Sequence, residues 1–97
     1  MSSTDIQLIH DIEQNEFRIE VAPGEWAKVS YRKHGHVLFI DHTSVPSSLR
    51  GQGKGAVMME TVLPEIEKLG YTIVAECSYV KHYLAKHSAW QHLVVNG

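Results

Sequence analysis

Residues 49–56 read LRGQGKGA, with Gly51, Gly53 and Gly55 alternating with other residues just ahead of an apolar-periodic stretch. Glycines remove the Cβ atoms that would keep a bulky anion away from the backbone. At a helix start, free N–H groups and the helix dipole then favour a phosphate. Arg50 and Lys54 add positive charge at the rim. The competing reading is a flexible turn. A turn needs one glycine, however, and three carry an entropic cost. A Walker A loop requires Gly-Lys followed by Ser or Thr, and the chain has neither. GQGKGA formally satisfies the dinucleotide pattern, with Glu76 near the end of the next strand. Against that reading, SVPSSLR (44–50) separates the preceding strand from the first glycine. A chain of 97 residues also leaves too few parallel strands for a dinucleotide domain after its antiparallel first half.

The elements that must carry this loop follow from periodicity. FRIEV (17–21) and EWAKVSYR (25–32) alternate apolar and polar residues, with the turn residues APGE (22–25) between them. KHGH (33–36) turns the chain into VLFIDHT (37–43). The continuous apolarity of that segment predicts a strand buried on both faces. Residues 17–43 therefore predict an antiparallel three-stranded meander, with IQLIHD (6–11) as a further edge strand. The period then changes. Ala56, Met59, Val62, Leu63, Ile66 and Leu69 recur at helical spacing, and Gly70 suits the helix stop. Pro64 removes a backbone donor and predicts irregularity near 60–64. YTIVAE (71–76) returns to strand, and SYVKHYLAKH (78–87) predicts a second helix with Ser78 as its N-cap. AWQHLVV (89–95) suits either a short helix or a last strand.

The fold class is α/β (α+β): an antiparallel meander, then a parallel strand–helix–strand unit and a C-terminal helix. The unit 37–76 implies a right-handed crossover between parallel strands. Asp41–Thr43 and Glu76–Cys77 then meet at one sheet edge, where open sheets bind ligands.

Composition narrows the function classes. A length of 97 residues allows one small domain over 1–97. A formal net charge of −2 gives no bulk attraction to nucleic acid or to an anionic membrane. No apolar run is long enough to span a bilayer. MSSTDIQLIHDIEQ lacks the basic-then-apolar pattern of a signal peptide. The single cysteine, Cys77, rules out an internal disulfide and fits a reducing, cytoplasmic setting. The 7 histidines are scattered without metal-ligand spacing, so no metal site is expected.

Arg50-Gly51-Gln52-Gly53-Lys54-Gly55 matches the pattern (Q/R)-x-x-G-x-(G/A). It resembles the acetyl-CoA pyrophosphate loop of the GNAT superfamily of N-acetyltransferases. DHTSVPSSLRGQGKG followed by ECSYVKHYLAKH resembles, more narrowly, a small single-domain GNAT-like subfamily. There a His-Thr-x-Val step leads into the glycine loop and a C-(S/P)-(F/Y) step opens the last helix. The likeness covers roughly residues 17–93. Ala75 departs from it, because many relatives carry a proline two residues before the cysteine.

What the resemblance implies is a GNAT-like mixed sheet that binds acetyl-CoA and transfers acetyl to an amine. Backbone amides from Leu49 to Gly55, among them Arg50, Gly51, Gln52, Gly53 and Lys54, would hold the pyrophosphate. The pantetheine arm would lie where strands 37–43 and 71–76 splay, touching Val45 and Leu49. Acetyl transfer needs a deprotonated amine, a polarised thioester carbonyl and a proton for the leaving thiolate. Cys77, at a strand end just before a helix, is either an acetyl-accepting nucleophile with a lowered pKa or a small buried residue. His42 is either a base near Cys77 or the amine, or a loop-bonding histidine. Tyr79 and Tyr83, four apart on one helix face, either donate to the CoA sulfur or pack on the sheet. Lys81, His82, Lys86 and His87 give that helix a basic, solvated side that can also meet the CoA phosphates. Trp26 and Trp90 read as core or rim packing. The acceptor amine, small molecule or peptide, is not legible. About 16 residues precede the first strand of the meander, where full-size relatives carry extra helices, so the acceptor cleft is expected to be open, or completed by a partner or an extended peptide. The rival from another class is a non-enzymatic CoA- or acyl-CoA-binding or regulatory module.

Overall fold

Alternation builds the sheet, and the helices then cover one of its faces. A computed structural model describes residues 7–49, 51 and 53–95. Strands β1 (Leu8–Asp11), β2 (Glu16–Ala22), β3 (Glu25–His34) and β4 (Val37–Ser44) pair antiparallel in chain order. Helix α1 (Lys54–Lys68) crosses over to β5 (Thr72–Ala75), which pairs parallel with β4. Helix α2 (Ser78–Lys86) follows, and the sheet order is β1-β2-β3-β4-β5. The expected meander thus gains β1 as a fourth antiparallel strand.

The core lies between one sheet face and the two helices. Phe17 and Ile19 of β2, Val29 of β3, Leu38 and Ile40 of β4 and Ile73 of β5 are all fully buried. They meet Met58, Met59, Val62, Leu63 and Ile66 of α1 and Val80 of α2 in one cluster. Each such aliphatic side chain contributes roughly 1.5–3 kcal/mol on burial. The opposite face carries Arg18, Trp26, Lys28, Arg32 and Phe39, none of them buried. The expectation that 37–43 is buried on both faces is therefore corrected. Leu38 and Ile40 are buried, whereas Val37 and Phe39 are half-buried, because no layer covers their side.

Three local expectations change in detail. Pro64 does not interrupt α1, which runs unbroken from Lys54 to Lys68. Pro64 and Glu60 are both exposed, so water can satisfy the Glu60 carbonyl that loses its helical donor. The N-cap of α2 is Cys77 and not Ser78, which is already helical. The tail takes the short-helix form and ends in a single isolated bridge, not a last strand. A 3-10 helix spans Ser88–Leu93, then Val94 bridges Ile73 in parallel and the Val95 N–H donates to the Ile73 carbonyl at 2.8 Å. Gly70 ends α1 as expected. With φ at 83°, it lets its own N–H reach the Glu67 carbonyl and that of Tyr71 reach the Ile66 carbonyl.

Candidate functional site

The site begins where β4 and β5 part. Their pairing runs from Val37 opposite Thr72 to Ile40 opposite Ala75 and stops there. The N–H groups of Glu76 and Cys77 both donate to the Ile40 carbonyl, each at 2.9 Å. Beyond that point β4 continues alongside β3 to Ser44, while the segment after β5 turns into α2. The two strand ends expected at one sheet edge are therefore together, with a gap between them.

A bulge sets which side chains face that gap. Tyr31 pairs with Ile40 but Ser30 pairs with His42, so Asp41 is the extra residue. Val29 pairs with Thr43, which puts Thr43 on the helix-covered face with Leu38 and Ile40. His42 turns toward the open face with Ser30. Past the bulge, a 3-10 turn at Ser47–Leu49 leads into the glycine loop.

A cleft of about 510 Å³ occupies this corner, within the range of small-molecule sites. Its lining includes His42, Thr43, Val45, Leu49, Gly51, Gly53, Lys54, Gly55 and Tyr79. Residues Arg50 and Gln52 of the expected loop lie outside the described residues. Gly51 and Gly53 have φ of 82° and 73°, the left-handed region. Any other L-residue there costs roughly 1–2 kcal/mol. Gly53 is the N-cap of α1 and supplies no side-chain cap. The first helical bond at this end runs from the Val57 N–H to the Gly53 carbonyl at 3.4 Å. The amides of Lys54, Gly55 and Ala56 thus lack helical acceptors at the cleft. Donors, helix dipole and a lysine lining the cleft, Lys54, are what could hold an anion there.

The catalytic candidates are distributed unevenly. Cys77 is half-buried, and its Sγ lies 3.4 Å from Thr43 Oγ1. Burial pushes the Cys77 thiol up. The Thr43 hydroxyl bond and the nearby amides of Val80 and Tyr79 at the start of α2 pull it down further, leaving it below its ordinary value. His42 borders the cleft but is exposed, and its strand alternation points it away from Thr43 and Cys77. Tyr83 is 5% exposed, stacked on His87 with ring centroids 3.9 Å apart, and does not line the cleft. Tyr79 does line it. Lys81, His82 and Lys86 are solvent-exposed, as a solvated helix side requires. Thr43 is the residue that the sequence reading passed over as a partner of Cys77. Only the bulge, which shifts side-chain parity, brings it there.

A glycine loop opening a helix, set beside two splayed strand ends, is the arrangement shared with known proteins. The family model for GCN5-related N-acetyltransferases matches residues 16–93. The chain belongs to that family. The chain also superposes on a GCN5-like protein from Staphylococcus aureus solved by NMR in solution, with a TM-score of 0.68 and 29% identity. The match covers 100% of this chain and 93% of the other. Among curated proteins none matches. The mixed five-stranded sheet is thus that of the family, as expected from the loop and the cysteine step. Among the described residues no cluster of His, Cys, Asp and Glu could hold a metal. No helix among them is long and apolar enough to cross a membrane.

Proposed function

We propose that this protein binds acetyl-CoA in the cleft and passes the acetyl group to an amine. The observation that carries the reading is the uncapped start of α1 behind two left-handed glycines, facing a cleft of about 510 Å³. That seat suits a pyrophosphate. Val45 and Leu49 offer apolar contact to the pantetheine arm, and the β4–β5 gap offers room for the thioester. Cys77, with its thiolate favoured by Thr43, is the nucleophile of this proposal. Its sulfur would bond to the acetyl carbon as the CoA thiolate leaves, and an amine would then take the acetyl and free the thiolate. His42 borders the cleft but faces the side of β4 away from Cys77, so this proposal gives it no part in the thiol step and the proton of the amine leaves to water. The acceptor is a small amine or the amine of a peptide, and no nucleic acid or membrane enters the reading.

One observation favours the second reading, a CoA-binding module without turnover: His42 and Cys77 face different ways across β4. Calorimetric titration with CoA, acetyl-CoA and NAD separates these from a nucleotide site. CoA and acetyl-CoA should bind and NAD should not. Gly53→Val, which forces a β-branched residue into φ 73°, should abolish CoA binding in a protein that still folds. Tight NAD binding, or unchanged CoA affinity in that variant, would sink the reading of the loop. Mass spectrometry after incubation with acetyl-CoA should find an acetyl adduct on wild type and none on Cys77→Ala. Turnover that survives Cys77→Ala would mean direct transfer.

A further inference from the structure

Gly55 is a glycine for a different reason from its two neighbours. It lies inside α1 and has no positive φ. Glycine within a helix costs roughly 0.5–1 kcal/mol against alanine, and the loop pattern accepts alanine at this position. A Cβ on Gly55 would lie 2.5 Å from Tyr79 Oη and 2.8 Å from its Cζ. The phenol of Tyr79 therefore fills the space that an alanine methyl would take. Helical Cα–Cβ bonds tilt toward the helix N-terminus. Tyr79 Oη accordingly sits on the N-terminal side of Gly55, at the end of α1 where the free amides are. Tyr79 is 38% exposed and borders the cleft, and its hydroxyl has no hydrogen-bond partner among the described residues. Partial burial raises its pKa, so at neutral pH it remains a donor.

We infer that Tyr79 is a side-chain hydrogen-bond donor to the phosphate end of a CoA ligand, held there by its seat on Gly55. The inference builds on the reading of the cleft as a CoA site. It adds a donor from α2 to the backbone amides of α1, so the anion ties the two helices together. It also gives Tyr79 a role at the phosphate end of the cleft and not at the thioester. Glycine at 55 is then a requirement of this chain's own tyrosine.

The test compares two ligands on the full chain, CoA by calorimetry and S-acetylpantetheine, which lacks the phosphates, by NMR titration. Tyr79→Phe keeps the ring and removes the donor. It should lower the ratio of CoA to S-acetylpantetheine affinity about tenfold or more, as for a hydrogen bond to a charged group. Gly55→Ala displaces the phenol and should lower the same ratio. The double variant should fall no further than the larger single effect, since both changes remove one interaction. An unchanged ratio in Tyr79→Phe, or strictly additive losses in the double variant, overturns the assignment. Wild-type protein that binds no CoA overturns the CoA reading itself, and the assignment with it.

Discussion

The two halves of β4 are four residues each, both pair with β3, and they differ in their other pairing, regularity and burial. From Val37 to Ile40 the strand is paired on both sides, alternates regularly and buries Leu38 and Ile40 completely. From Asp41 to Ser44 it is paired only with β3, bulged and half or fully exposed, with Thr43 facing the gap. The first half is a packing element. The second gives up one ladder of hydrogen bonds and one layer of cover, and what it gains is a cleft beside a helix start. A parallel pair that stops early, with both following amides gathered on the Ile40 carbonyl, leaves little backbone unsatisfied at the split.

If that division is right, damage to the first half should unfold the protein and damage to the second should change chemistry. Leu38→Ala has the largest expected effect. It removes a fully buried side chain from the centre of the core and should cost about 2–5 kcal/mol in urea unfolding. Any loss of CoA binding should then follow the folded fraction and not precede it. A loss below about 1 kcal/mol would mean that β4 is not the packed strand its burial indicates.

Thr43→Val is the matching change in the second half. It removes the hydroxyl that bonds Cys77 Sγ, leaving burial to push the thiol up. The pH midpoint for alkylation of Cys77 by iodoacetamide should rise from below its ordinary value toward that of a free thiol. The sign for stability follows. A thiol with a lowered folded pKa stabilises the fold above its unfolded pKa, and that contribution is lost as pH falls through the lowered value. The variant should therefore gain less stability on raising the pH than wild type does. An unmoved alkylation midpoint would show that the α2 amides alone set the thiol.

The two halves were also unequally legible in the sequence. Leu38 and Ile40 sit in an apolar run, and Gly70 follows a helical period, so strand and helix stop were readable. The extent of burial was not, because apolarity alone does not say whether a second layer exists to cover Val37 and Phe39. The glycine loop was readable because glycines before a helix are costly without a reason. Its three glycines looked alike in the sequence, yet Gly51 and Gly53 serve the backbone and Gly55 serves Tyr79. The bulge at Asp41 left no signal, since it needs no special residue. Without it the parity of β4 would bring His42 to the gap in place of Thr43, whereas the expectation of His42 near Cys77 rested only on the two strand ends meeting at one edge. Pro64 gave a real local signal that exposure of Glu60 made harmless.

The smallest effect should come from the charges that span the gap. Arg32 of β3 hydrogen-bonds Glu76 and lies 3.6 Å from Asp41, so one guanidinium touches both sides of the split on the open face. It also stands over the Phe39 ring at 5.3 Å. These contacts look like a clasp, but Arg32 is 53% exposed and both carboxylates are 39% exposed. Water and salt screen such pairs, and holding long side chains still offsets most of the attraction. Arg32→Gln should shift the urea midpoint less than Leu38→Ala by a wide margin, and the shift should shrink further as salt is added. CoA affinity should hardly move, because the clasp lies across the sheet from the cleft wall formed by Thr43. A large, salt-independent loss of stability would break the comparison. It would mean that charge ties the two sides of the gap together, and that the Ile40 carbonyl with its two amides is not enough to hold the split in place.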